Sequence, residues 1–353
     1  MRFVAIALGA ALASACSACS SPPRESGPGS GAAPIPETGR GSAAAPVADA
    51  GAAARSVARL GSSPEILARY DIEPTLPPPK PTIRPGGDCK TEYAPKPTRD
   101  PNPMCKVDGG TFEMGDPKGD HHTVKVSPFY IDEFEVTNAQ MRFFLETTRA
   151  DDKCPGAHYV SINSSYGLYR DGENYFVRPG LERRPFVVAR IAGAEAYCAW
   201  AGKRVPTRAE WEFSARHDPK THTDRIYPWG DIFQPARAKC GECQGPDHYD
   251  VVDVGTFDGQ AGHGDGRSPW GIHDMAGNAN EFVVDCDGQL ECDGVCTDPV
   301  VGAETNGRCK HGPRGGASDS SRDELRSYAA TTSIPNGEWW GGMRCLKESS
   351  ITR

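Results

Sequence analysis

Along this chain the apolar positions fall into a few short periodic runs separated by long aperiodic stretches. Phe129-Tyr-Ile-Asp-Glu-Phe-Glu-Val136 alternates apolar and polar residues and predicts a strand. It feeds into Thr137-Asn-Ala-Gln140, a capping box in which the Thr hydroxyl and the Gln amide can each satisfy an orphan backbone donor. Met141, Phe144 and Leu145 follow at helical spacing, so a short helix is expected from here. Ala194, Tyr197, Cys198 and Ala201 make one stripe of a second helix. Thr207-Arg-Ala-Glu210 is another capping box, set off by Pro206, and opens a third helix whose buried face begins at Trp211 and Phe213. Trp200, Trp211 and Trp229 read as core packing. From about 217 to 320, Gly, Pro, Asp and Asn dominate and periodicity fades. Long irregular segments in a compact domain need staples.

The N-terminus follows different rules. Met1-Arg-Phe-Val-Ala-Ile-Ala-Leu-Gly-Ala-Ala-Leu-Ala-Ser-Ala-Cys16 has one positive charge, a short apolar run and a small-residue ending. That is a secretory signal, too short to span a bilayer. Ala-Ser-Ala-Cys16 resembles a bacterial lipobox, with Leu12 one place early. Lipidation of Cys16, processing at Cys19, and ordinary cleavage after Ala15 or Ala18 all stay open. The expected location is the bacterial cell envelope, with membrane contact through an N-terminal lipid on an outer-membrane or periplasm-facing lipoprotein. Residues 17–88 are rich in Ala, Gly, Pro and Ser and cannot bury enough surface to offset their ordering entropy. They read as a tether, with a root-mean-square span on the order of 45 Å. A domain over 89–349 follows.

The formal charge of −8 and the lack of a Lys/Arg stripe interleaved with aromatics argue against a nucleic-acid partner. Thirteen cysteines in an exported chain point to disulfides. Setting Cys16 and Cys19 aside leaves eleven, an odd number, so one thiol should be free or bridged to another molecule. Cys240 and Cys243 share a short loop. Cys286, Cys292, Cys296 and Cys309 cluster in another, as disulfides or as a zinc site.

Candidate chemistry concentrates in Gly271-Ile-His-Asp-Met-Ala-Gly-Asn-Ala-Asn-Glu281. Glycines and asparagines permit unusual backbone angles, and two carboxylates supply hard oxygens. Such a turn is either a polar surface loop or a calcium site of side-chain and carbonyl oxygens.

Several motifs occur in a fixed order. They are Gly110-Thr-Phe-Glu-Met-Gly115, Phe129 to Asn138, Ala196 to Glu212, Tyr227-Pro-Trp-Gly230, the glycine turn, Arg314-Gly-Gly316 and Gly342-Met-Arg-Cys345. Over roughly residues 104 to 347 the chain thereby resembles the formylglycine-generating enzyme family, also called sulfatase-modifying factors. The resemblance implies an α+β fold related to C-type lectins, with little regular secondary structure, stapled by disulfides and calcium. It implies a disulfide between Cys198 and Cys345. It also implies one calcium site made by Asp274 and Glu281 with the carbonyls of Gly277 and Ala279. A second family calcium site needs an oxygen-bearing side chain where this chain has Lys239, so that site is lost or rebuilt from Asp258 and Asp265.

Members with oxidase activity convert a sulfatase cysteine to formylglycine, using a copper-holding cysteine pair just past the Gly-Gly motif. Here those positions carry Ser320 and Leu325, neither of which is the soft ligand that Cu(I) needs, so copper is not expected. The serine after Gly-Gly is Ala317, and the tryptophan of the family's Asn-x-Trp-Glu turn is Asn280. Relocated ligands would have to come from Cys286, Cys292, Cys296 or Cys309. His121-His122 reads as a surface pair rather than as iron ligands, and no serine elbow is present. The expectation is a domain that has lost oxidase chemistry and binds or scaffolds an envelope protein or glycan. The alternatives are an enzyme with a relocated site and a carbohydrate-binding module using Trp339, Trp340 and Tyr328.

Overall fold

The computed structural model describes residues 100, 102–148, 166–172, 174–187, 189–243, 250–301, 311–329 and 341–349. Cys16, Cys19, the tether over 17–88, Cys309, Trp339 and Trp340 lie outside the described residues.

The alternation around Phe129 gives a strand, β4 (Phe129–Asp132), but pairing stops at Asp132. The next four residues, Glu133 to Val136, are all buried, so they cannot keep a polar face toward water. They instead hydrogen-bond to other loops, Glu133 N–H to the Pro103 carbonyl and Val136 N–H to that of Met343. β4 is the centre of an antiparallel sheet with β1 (Met104–Val107) and β10 (Leu346–Glu348) on its flanks. A second sheet joins β2 (Gly110–Gly115) and β3 (His121–Val126) in antiparallel register, with β9 (Cys296–Thr297) added parallel to β3. Two small hairpins complete the strands, β5 (Leu168–Asp171) with β6 (Asn174–Val177) and β7 (His217–Asp218) with β8 (Thr223–Asp224).

Both capping boxes start helices. Thr137 N–H donates to Gln140 Oε1 at 2.7 Å, and α1 runs Asn138–Thr148. Thr207 accepts from Glu210 N–H while the Glu210 carboxylate accepts from Thr207 N–H, and α3 runs Arg208–Arg216. Between them lies α2 (Ile191–Trp200), which buries Ala194, Tyr197 and Cys198, with Ala201 buried just past its end.

The interior has three apolar clusters. The first packs α1, α2 and the β5–β6 hairpin, with the Phe144 ring edge-on to those of Tyr197 and Trp200. The Cys198–Cys345 disulfide crosses it and ties α2 to the residue just before β10. The second packs α3 on the β2–β3 sheet through Trp211, Phe213 and Phe112. The third is small: Tyr227, Ala238, Cys240, Ala276 and Leu325. Beneath the first sheet the Lys203 ammonium sits fully buried between Asp100 at 2.7 Å and Asp132 at 2.5 Å. Burial works against its charge, and the two carboxylates outweigh burial and raise its pKa. The result is a mixed α+β fold of short elements and much ordered loop. No helix among the described residues is long and apolar enough to cross a membrane.

Candidate functional site

The glycine turn is built by left-handed backbone. Asp274, Gly277 and Asn278 have φ of 57°, 78° and 62°. Asn and Asp tolerate that region better than most residues, and Gly277 has a second reason to be glycine. A Cβ there would run into the Lys239 carbonyl, which accepts from Asn278 N–H at 2.8 Å. On its other side Gly277 N–H donates to the Gly315 carbonyl at 2.8 Å. The turn is therefore wedged between the loop at 239 and the Gly315–Gly316 loop.

Its charges converge on Arg344, which is fully buried. The guanidinium donates to both oxygens of Glu281 at 2.6 Å and to the backbone carbonyls of Asp132, Glu133 and His273. Trp211 Nε1–H donates to the same Glu281 carboxylate at 2.7 Å, so this tryptophan packs the core and also serves the site. Burial alone would lower the Arg344 pKa, but the charge and hydrogen bonds of Glu281 raise it. Two further carboxylates share the neighbourhood. Asp274 accepts from Gly255 N–H, and Glu135 accepts from Ala279 N–H and the Asn278 amide. Burial pushes Asp274 up to about 6. Burial, then the charges of Asp274 and Glu281, holds Glu135 well above the usual carboxylate range. Three buried carboxylates thus face one guanidinium.

This arrangement decides which residues fit calcium. Glu281 does not fit as a ligand, because Arg344 already occupies the cation's place against both of its oxygens. What stays at the turn is Asp274 with the carbonyls of Gly277 and Ala279, while both oxygens of the nearby Glu135 are already engaged by Ala279 N–H and the Asn278 amide. No group of three His, Cys, Asp or Glu side chains among the described residues is arranged to hold a metal. At the second family position the Asp265 carboxylate is held by Arg267 at 3.0 Å and Asp258 caps Gln260 N–H, so neither stands ready as a cation ligand.

Ser320 and Leu325 come together over the Gly-Gly loop. Gly315 and Gly316 both have positive φ, of 88° and 70°. A Cβ on Gly316 would lie 3.0 Å from Leu325 Cδ1 and 3.2 Å from Ser320 Cβ. The Ser320 hydroxyl accepts from Ala317 N–H at 3.0 Å, closing the turn that follows. Leu325 is fully buried in the third cluster.

Among the described residues, the cysteines that share this cluster with Leu325 are Cys240 and Cys243, and none of Cys286, Cys292 and Cys296 does. Cys292 bonds Cys296, and Cys296 belongs to the cluster under β2–β3. Cys286 is also disulfide-bonded. Cys240 bonds Cys243, and the Gly241 N–H between them donates to the Ser320 carbonyl at 2.9 Å. The Cys-x-x-Cys spacing was the sequence signal for this pair. Tyr328 lies under the Arg216 guanidinium at 5.1 Å, so its ring already has a cation over it.

One buried pair has no assigned task. Glu133 Oε1 and His273 Nε2 are 3.7 Å apart, too far for a hydrogen bond. Both Glu133 oxygens and both His273 ring nitrogens lack a hydrogen-bond partner among the described residues. Burial raises Glu133 to about 8 and, with the Arg267 charge, lowers His273 to about 3. The imidazole stacks on Phe134 at 4.8 Å.

Comparison with known proteins places these features in a context. The family model of the sulfatase-modifying factor enzyme 1-like domain matches residues 90–349. The inactive C-alpha-formylglycine-generating enzyme 2 of Bos taurus is 30% identical over 221 residues, covering 51% of this chain and 70% of that protein. The formylglycine-generating enzyme of Thermomonospora curvata is 31% identical over 224 residues, covering 52% and 71%. Among solved structures, PvdO from Pseudomonas aeruginosa is 21% identical with a TM-score of 0.49, covering 70% of this chain and 95% of PvdO.

Proposed function

The chain belongs to the sulfatase-modifying-factor family, and on that premise we propose that it does not oxidise cysteine with copper and works as a binding or scaffolding domain of an exported lipoprotein. The observation that carries this reading is Leu325. A fully buried leucine and a turn-closing serine stand over Gly316 where the resemblance puts two thiolates. Leucine has no donor atom, and a serine hydroxyl is a hard ligand that Cu(I) does not favour. Similarity does not choose between active and inactive relatives, since the inactive bovine protein and the Thermomonospora enzyme are matched at 30% and 31%. The anchor reading rests on Ala-Ser-Ala-Cys16 alone, and the occupant of the domain is an envelope protein or glycan.

A second reading has one observation in its favour. Cys240 packs in the same cluster as Leu325, so a cysteine pair does stand beside the altered positions. That reading is an oxidase with a relocated pair. One preparation tests both. The full chain, purified from membranes, is incubated with copper, oxygen and a peptide containing Cys-x-Pro-x-Arg, and the peptide is weighed for conversion of the thiol to an aldehyde. The expected result is an unchanged peptide and a lipid on the mature N-terminal cysteine. Conversion that disappears in Cys240→Ser would replace the first reading by the second, and an unmodified N-terminus would reject the anchor.

A further inference from the structure

We propose that Cys240 and Cys243 form a redox-active pair that exchanges its disulfide with an incoming thiol, entered at the Cys243 sulfur. The inference is independent of whether this protein oxidises peptides, because it asks only that the bridge open and close.

Geometry gives the direction of entry. The two Cα atoms are 4.9 Å apart at the ends of a four-residue turn. Cys240 is 0% exposed, enclosed by Tyr227, Ala238, Ala276 and Leu325, whereas Cys243 is only partly buried at the edge of the same cluster. Exchange requires a thiolate to reach one sulfur. Of the two residues, only Cys243 has surface exposed for that approach.

The turn does not depend on the bridge for its shape. Cys243 N–H donates to the Cys240 carbonyl at 3.2 Å, and Gly241 N–H donates to the Ser320 carbonyl. A Cβ at Gly241 would collide with the Asp319 carbonyl, so the two segments already touch backbone to backbone. Glu242 accepts from the Arg322 backbone N–H at 3.0 Å and from its guanidinium at 2.5 Å. The Arg322 guanidinium in turn lies over the Phe233 ring. Each of the two residues between the cysteines is therefore fastened to residues 319–322. Opening the disulfide leaves the turn in place, with both sulfurs still near each other for closure. A disulfide whose loop is held by other contacts is suited to be cycled.

The chemistry balances with two thiols as reductant. A thiolate attacks the Cys243 sulfur, a mixed disulfide forms, and the bond to Cys240 breaks with its electron pair on the Cys240 sulfur, which takes up a proton in its apolar surroundings. A second thiol attacks the mixed disulfide and leaves with the first as an external disulfide. The protein gains two electrons as a dithiol, and the two thiols are oxidised. The reverse course donates a disulfide to a dithiol substrate.

The test uses the full chain equilibrated in a series of glutathione buffers, trapped by alkylation and mapped by peptide mass. The expected result is a buffer range in which Cys240 and Cys243 are alkylated while Cys198–Cys345 stays closed. In Cys240→Ser, glutathione should be captured on Cys243; in Cys243→Ser, Cys240 should stay uncaptured in the native protein. The double variant Cys240→Ser/Cys243→Ser should melt within a few degrees of the wild type. Simultaneous opening of both bridges, capture on Cys240, or a loss of melting temperature in the double variant as large as that of Cys198→Ser would each overturn the proposal and make the pair a structural staple.

Discussion

The glycine turn and the Gly-Gly loop lie side by side, joined by backbone hydrogen bonds of Gly277 to Gly315 and of Glu281 to Arg314, yet they are held by opposite means. At the turn, position is set by charge. Arg344 is buried against Glu281 and collects three backbone carbonyls, and Trp211 is a second donor to the same carboxylate. At the loop, position is set by packing and short polar contacts. Leu325 fills the space over Gly316, and the Ser320 hydroxyl closes its own turn. The resemblance puts the copper-holding pair at the loop and, Asn280 aside, framework at the turn. A side chain that merely fills space can be exchanged for another of similar volume. A buried guanidinium cannot be exchanged without stranding its carboxylate. The contrast explains how a chain can retain the family's architecture while its reactive positions carry serine and leucine.

The sharpest way to break this comparison is to remove one member from each region. Arg344→Met leaves Glu281 buried without its partner and should cost about 3–5 kcal/mol. Ser320→Ala removes one hydrogen bond and should cost about 1 kcal/mol. Urea denaturation of both variants measures the gap, and equal losses would mean that the turn is no more charge-dependent than the loop.

A second measurement sharpens the account of the charged region through pH. Glu133 is raised to about 8, so the folded state keeps its proton while the unfolded chain ionises from about 4.5. That contribution is fully present below pH 4.5 and is lost as pH rises toward 8. His273 acts in the opposite window: lowered to about 3, it favours the fold above 6.5 and loses that contribution as pH falls toward 3. Glu133→Gln removes the first dependence. Relative to wild type the variant should gain stability between pH 5 and pH 7, with a ceiling of about 3 kcal/mol at one pKa unit per 1.4 kcal/mol. Urea midpoints at the two pH values give the answer. A constant difference would show that Glu133 is ionised in the folded protein.

A third measurement concerns calcium, which is proposed at Asp274 and the carbonyls of Gly277 and Ala279. Three carboxylates against one guanidinium leave negative charge that protons or a cation must balance, and this imbalance supports the proposal. Calcium at a hundredfold excess over its dissociation constant would stabilise the fold by about 2.7 kcal/mol. The wild-type melting temperature should therefore rise with calcium and that of Asp274→Asn should not. A wild type that melts alike in calcium and in chelator would leave Asp274 as a turn residue only.

What could be read from the chain was what is local or marked by motif order. Thr137–Gln140 and Thr207–Glu210 announce their helices because a capping box is completed within four residues. The stripe through Ala194, Tyr197 and Cys198 is visible for the same reason. The Cys198–Cys345 bridge came from the resemblance, and the structure forms it. What could not be read is the pairing of distant side chains. Glu281 looked like a calcium ligand because nothing near it in sequence shows that Arg344 lies against it. Glu133 and Glu135 looked like the polar side of a strand, but a neighbouring loop covers that side. Cys240 and Cys243 were legible as a spacing, and their place beside Leu325 was not, since only the third cluster brings those segments together.

The route of the C-terminal segment has a consequence for how the protein is made. Residues 341–348 bring Met343 into the first cluster, Arg344 into the charged centre, Cys345 into its bridge and Leu346 onto β4. Arg344 reaches back to the carbonyl of Asp132, 212 residues earlier. Contacts of such long range close large loops and form late. Until that segment has been synthesised, the first sheet has an empty edge and Glu281 has no counter-charge. The domain therefore cannot mature piecemeal as it emerges. Its tertiary closure waits for β10.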